Sequence, residues 1–164
     1  MAKRSPADGN GPEEVLMSFP ENLATDTLDM ENKIIEANIE INAPLNKVWS
    51  VFTDPDITKQ MGGYYDTDWK TGSSFGFRKA DGNRLTNGIL LELQQEHLIK
   101  HSLFEPDSES VMAVITYHFQ QKDGVTLLTG KEELTQPLDK ATYNDALAGW
   151  KAALDLVKMI AEKL

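Results

Sequence analysis

The chain has 164 residues, enough for one ordinary domain and too few for two substantial ones. Its 16 Lys and Arg stand against 26 Asp and Glu, a net charge of −10, which argues against general nucleic-acid binding and against docking on anionic lipid head groups. Cysteine is absent, so there is no disulfide framework, no Cys-ligated metal and no thiol nucleophile.

No apolar run approaches the length a membrane helix needs. Lys3 and Arg4 are not followed by the apolar stretch of a secretory signal. A soluble cytoplasmic domain is the expectation. Residues 1–31 hold Lys3 and Arg4 against Asp8, Glu13, Glu14, Glu21, Asp26, Asp29 and Glu31, so this stretch carries half the net charge. With Pro6, Gly9, Gly11, Pro12 and Pro20 it reads as a flexible acidic N-terminal extension. Residues 32–164 then form the folded domain.

Ile35, Ala37, Ile39 and Ile41 alternate with polar residues, the period of a half-buried strand. Pro44 suits a helix start, and Leu45, Val48, Trp49 and Phe52 follow at helical spacing. Asp54 before Pro55 is the N-cap of a second short helix. Gly62 and Gly63 end it and open a mobile rim loop with Tyr64 and Tyr65. Phe75 and Phe77 alternate in a short strand, and Asp81-Gly82 is a turn. Strands are predicted over residues 84–93, around Ile99, His101 and Leu103, and over 111–119. The Asp123-Gly124 turn joins the last of these to a partner over 125–134. From about Tyr143 the apolar residues Leu147, Trp150, Leu154, Val157 and Ala161 predict an amphipathic helix of about 20 residues. Lys151, Asp155, Lys158 and Glu162 mark its wet side.

An α+β fold follows: a curved antiparallel sheet of six or seven strands wrapped around one long C-terminal helix, with two short helices after strand 1. The helix must cover the apolar face of the sheet. A twisted sheet curves away from a straight rod, so a gap is expected between them, and such gaps hold small ligands.

Several motifs resemble a known family. Ile41, Ala43, Pro44, Val48, Trp49, Phe52, Thr53, Asp54 and Pro55 are similar to the opening signature of the START/birch-pollen-allergen (SRPBCC) helix-grip superfamily, in the branch named after the heat-shock-protein ATPase activator. Asp68, Trp69, Gly72 and Phe75 resemble its second motif. The stretch 88–93 resembles its Gly-led strand, and Gly149, Trp150, Leu154 and Lys158 its closing helix motif. The resemblance covers residues 33–164. It departs at Met61, where the family often has Trp, at Ser73 in place of a Gly, and at Gln94 and Gln95 in a turn usually rich in Pro. It implies the helix-grip fold. With the expected gap between sheet and C-terminal helix, binding of a small hydrophobic or amphipathic ligand is the first functional expectation. A cyclase- or hydrolase-like enzyme acting on a bound aromatic or lipid-like substrate is the second. A chaperone ATPase cofactor role is the third and weakest, because the domain lacks the additional domain such a cofactor uses.

Strand parity selects the candidate site. His101 and Leu103 share the inner face, as do Tyr117 and Phe119. Glu132 shares parity with Leu128 and Gly130, whereas Lys131 and Glu133 face water. Trp69, Phe75, Phe77, Trp150 and Leu154 complete the expected ligand-binding wall. Tyr117 is a candidate polar anchor, and His101 and Glu132 are the candidate proton-transfer groups for an enzyme. His97 and His101 would lie about 13 Å apart on a strand, too far to share a metal. No phosphate loop or nucleophile elbow is present. No catalytic residue, metal or cofactor is expected, and a monomer is.

Overall fold

The computed structural model describes residues 32–164. The expected extension over 1–31 lies outside the described residues. Strand β1 (Ile34–Ile41) buries Ile35, Ala37 and Ile41 and exposes Glu36, Asn38 and Glu40, as its alternation requires. Pro44 is the N-cap of α1 (Leu45–Thr53), one residue before the position expected for it. Helix α1 buries Val48, Trp49, Val51 and Phe52. Asp54 caps α2 (Pro55–Thr58) by accepting the Asp56 N–H at 3.1 Å. A 3-10 turn (Lys59–Met61) then stops at Gly62, whose φ of 97° only glycine adopts cheaply.

The predicted rim loop after Gly62 is instead a strand. β2 (Gly63–Asp66) pairs with β3 (Gly76–Lys79), and Tyr65 opposes Phe77. Tyr64 and Tyr65 are β-prone residues with a partner strand close by. The other strands are β4 (Leu90–Gln94), β5 (Leu98–Phe104), β6 (Val111–Lys122) and β7 (Val125–Leu134). The strand predicted over 84–93 begins only at Leu90. Before it, the Thr86 hydroxyl takes the Phe77 N–H at 2.9 Å, so a side chain replaces a ladder bond. Leu85 is 58% exposed there.

The seven strands divide into a five-stranded antiparallel sheet, ordered β1-β7-β6-β5-β4, and the β2-β3 ribbon. Backbone bonds join the two: the Phe75 N–H donates to the Gly88 carbonyl, and the Leu90 N–H to the Ser73 carbonyl, each at 2.9 Å. The ribbon therefore continues the curvature past β4. Helix α3 (Lys140–Glu162) begins three residues before the predicted start. Its N-cap is Asp139, which accepts the Thr142 N–H at 2.8 Å. That bond holds the Asp139 carboxyl below its ordinary value. Asp139→Ala should cost about 1 kcal/mol, read as a lower urea midpoint with an unchanged slope.

Helix α3 is seated unevenly. Its C-terminal half buries Leu154, Val157, Ile160 and Ala161, whereas no residue of its first half is buried. The Tyr143 hydroxyl donates to the Ile34 carbonyl at 3.0 Å and ties the first turn to β1. The Lys158 ammonium donates to the Glu40 carbonyl at 2.9 Å and ties the far end. The gap expected between sheet and helix lies under the middle of α3, from Ala146 to Val157.

Candidate functional site

A cavity of about 320 Å³ lies between α3 and the inner face of the sheet. Strands β5, β6 and β7 contribute Leu103, Ile115, Tyr117 and Glu132 to its wall. Phe52 comes from α1 and Met61 from the 3-10 turn. Helix α3 adds Ala146, Gly149, Trp150, Ala153, Leu154 and Val157. Ala146, Gly149 and Ala153 recur at helical spacing, and their lack of bulk leaves the space open. A Cβ placed on Gly149 would meet no atom within 4 Å.

Trp150 is positioned by a glycine across the interface. A Cβ on Gly130 of β7 would lie 2.1 Å from the Trp150 ring, so only glycine lets the indole lie flat against the strand. From there the Trp150 Nε1–H donates to Glu132 Oε1 at 2.8 Å. The Trp150 ring also packs on Tyr117, with centroids 5.6 Å apart. Tyr117 in turn packs on Phe52 at 4.9 Å. One side of the cavity is thus a carboxylate bordered by aromatic rings.

Behind this wall lies a second polar group. Tyr117 and Tyr65 lie near enough for each to shift the other's hydroxyl. Burial pushes the Tyr65 hydroxyl up to about 12, with the Tyr117 contact pulling it partly back. Burial pushes Tyr117 well above the ordinary phenol value, reinforced by Tyr65 and then by the Glu132 charge. Both stay neutral and available only as hydrogen-bonding groups.

His101 faces inward, only 4% exposed. Burial pulls it down to about 4, partly offset by its bond to the Ser102 carbonyl. That carbonyl, 3.0 Å from Nδ1, only accepts, so Nδ1 carries the proton of a neutral ring. Phe75 covers the ring with centroids 4.3 Å apart. His101, Ile115 and Glu132 lie in one row across three strands. Two strand spacings put His101 and Glu132 about 10 Å apart at the backbone, with Ile115 between them. Each is held by a different partner, His101 by the Ser102 carbonyl and Glu132 by the Trp150 N–H.

Of the ten residues selected by sequence, Leu103, Tyr117, Glu132, Trp150 and Leu154 stand on the cavity wall. Trp69, Phe75, Phe77, His101 and Phe119 form an aromatic cluster behind it. Tyr65 sits at the centre of that cluster, 5.0 Å from Phe75, 5.1 Å from Phe77 and 6.2 Å from Trp69. Phe119 packs edge-on against Trp49 and Phe52. Sequence reasoning missed Phe52, Met61, Ile115, Val157 and the three small helix residues. Ile115 shares the parity of Tyr117, and Val157 the period of Leu154, so those two were readable. His97 lies in the β4–β5 turn, and His118 is exposed on the outer face. Among the described residues no three His, Asp or Glu side chains come together in a metal-holding group, and no helix is long and apolar enough to cross a membrane.

An antiparallel sheet closed around one long helix, with a cavity between them, defines a helix-grip domain. The chain belongs to the family described as activator of Hsp90 ATPase homolog 1-like proteins, whose model matches residues 42–162. No curated protein matches it. Among solved structures it is similar to CalU16 from Micromonospora echinospora, at 21% identity and a TM-score of 0.63, over 78% of this chain and 75% of that one. It is similar to ChR145 from Cytophaga hutchinsonii, at 22% identity and a TM-score of 0.65, over 79% and 94%. DynU16, a protein of the dynemicin biosynthetic locus, matches at 16% identity and a TM-score of 0.69, over 79% of this chain and 47% of that one, so the chain spans about half its length. At these identities the likeness concerns the fold. Domains of this family are commonly ligand-binding or cyclase-like.

Proposed function

We propose that the protein binds a small, mainly apolar molecule in the cavity between α3 and the sheet. The observation that carries this reading is the cavity of about 320 Å³ with eleven uncharged wall residues and one carboxylate. Its volume is at the lower end of the range for small-molecule sites, about 300–1,000 Å³. Its apolar wall favours an apolar ligand body, because burial of that surface supplies the binding energy. Binding is favoured over turnover because His101 and Glu132 stand a strand apart, with Ile115 between them.

A native mass-spectrometry and thermal-shift screen of medium-chain lipids and fused-ring aromatics tests the reading. A one-to-one complex with a raised melting temperature is expected. Gly149→Leu provides the control. Its side chain enters open space, and replacing a mid-helix glycine adds up to about 1 kcal/mol of helix stability. This variant should fold more stably and lose the ligand. A ligand bound equally by Gly149→Leu would sit elsewhere and overturn the reading.

A further inference from the structure

We infer that the molecule held in this cavity is a cation: an apolar body carrying a protonated nitrogen that pairs with Glu132. The inference rests on the cavity being a ligand site, and it adds the charge of the ligand.

Glu132 is the only charged residue among the described residues that line the cavity. Its neighbours on the wall are Ile115, Tyr117 and Trp150. A carboxylate there has given up part of its hydration and needs a partner in return. The protein supplies half of one. Trp150 Nε1–H satisfies Oε1 at 2.8 Å, and Oε2 receives no hydrogen bond from the described residues. The adjacent cation on the strand cannot help. Lys131 projects to the opposite face of β7, where it meets Glu133 at 3.7 Å. Tyr117 cannot neutralise the charge either, because its buried hydroxyl stays neutral. The site therefore holds one uncompensated negative charge with one acceptor oxygen open.

The surroundings suit a cation on a second count. The Tyr117 and Trp150 rings, tilted 48° to each other with centroids 5.6 Å apart, share the cavity wall with the carboxylate. Phe52 adds a third ring, tilted 59° from Tyr117. Ring faces attract a cationic nitrogen through their quadrupoles. They give nothing comparable to an anion. A protonated amine meets Oε2 directly, offers its charge to Glu132 and places its carbon chain along Leu103, Leu154 and Met61. An alcohol of the same length can donate one hydrogen bond to Oε2 but leaves the charge uncompensated. A carboxylate of the same length is repelled.

The test compares decylamine, decanol and decanoate at equal chain length and below micelle formation, with the full chain, by titration calorimetry and native mass spectrometry. Decylamine should bind at least tenfold more tightly than decanol, with decanoate weakest. Glu132→Gln keeps an oxygen for the Trp150 N–H and removes the charge. It should bring decylamine and decanol within about twofold of each other. Decanol or decanoate binding as tightly as decylamine would overturn the cation inference and leave the ligand reading standing. So would an amine preference that survives Glu132→Gln, since it would report attraction to the acidic surface. Binding of none of the three would overturn the ligand reading, and this inference with it.

Discussion

Replacing Gly130 with alanine is expected to destabilise the protein by about 2–3 kcal/mol, the cost of forcing one methyl into a packed contact. All three atoms nearest to a Cβ at this position belong to the Trp150 ring, at 2.1, 2.7 and 3.1 Å. The indole must leave β7, and with it goes the 2.8 Å bond to Glu132. A displaced ring has the cavity to move into, so ligand binding should fall together with stability. A double-mutant cycle separates this account from a backbone effect. In a Trp150→Ala background the clashing atoms are gone, and Gly130→Ala should then be neutral or slightly stabilising, since alanine orders a strand better than glycine. Urea unfolding of the four proteins measures the coupling. A Gly130→Ala cost that persists without the indole would show that the strand backbone, and not Trp150, requires the glycine.

The same residue pair marks how much of the site the sequence makes legible. The alternation along β7 places Gly130 and Glu132 on the inner face, and helical spacing places Trp150 opposite the sheet. Neither pattern states that a ring occupies the space of a missing side chain, because that depends on which helix turn meets which strand residue. The cavity itself is harder to read. Periodicity registers apolar bulk, and a cavity is a lack of bulk. Ala146, Gly149 and Ala153 weigh little in an amphipathic pattern, yet they are what keeps the space open.

The fold follows the same division. Strand β1, the β6–β7 hairpin and α3 announce themselves by clean periods and a Gly turn. Residues 84–89 bond to Phe77 of β3 on one side, partly through the Thr86 side chain, and to Ser102 and Phe104 of β5 on the other, and no local pattern encodes that. Strand β2 is four residues long, too short to show a period, and exists because β3 returns beside it. His101 combines both cases. Parity puts it on the inner face. Whether it lines the cavity depends on Phe75, which the β2-β3 ribbon and its connection carry over the imidazole from another part of the chain.

That cover gives His101 a measurable consequence for stability. An unfolded histidine titrates near 6.5, whereas burial beneath Phe75 brings His101 down to about 4. Above pH 6.5 the ring is neutral in both states and adds no pH dependence. Below it the unfolded chain takes up a proton that the folded protein refuses. Stability therefore falls with falling pH, by up to about 1.4 kcal/mol per unit, until the folded ring also titrates near 4. The full loss approaches about 3 kcal/mol, with about 1.5 kcal/mol of it between pH 6.5 and 5. The carboxyls of Asp68, Asp139 and Glu162 act lower down. Their folded values are lowered, so the stability they add is present above their ordinary range and lost as pH falls through it. The interval from 6.5 to 5 thus isolates the histidine. Urea midpoints measured across it should decline for the natural protein. They should stay nearly level for His101→Gln, which keeps a donor for the Ser102 carbonyl and cannot take up the proton. An equal decline in both proteins would assign the acid sensitivity to other groups. Because the folded ring stays neutral until about pH 4, no charge forms beside Tyr117 across this interval, although the two rings lie with centroids 6.5 Å apart. Any ligand affinity of the folded protein should therefore hold from pH 6.5 to 5 while stability declines, and a parallel loss of affinity in the natural protein but not in His101→Gln would show that the folded ring titrates higher.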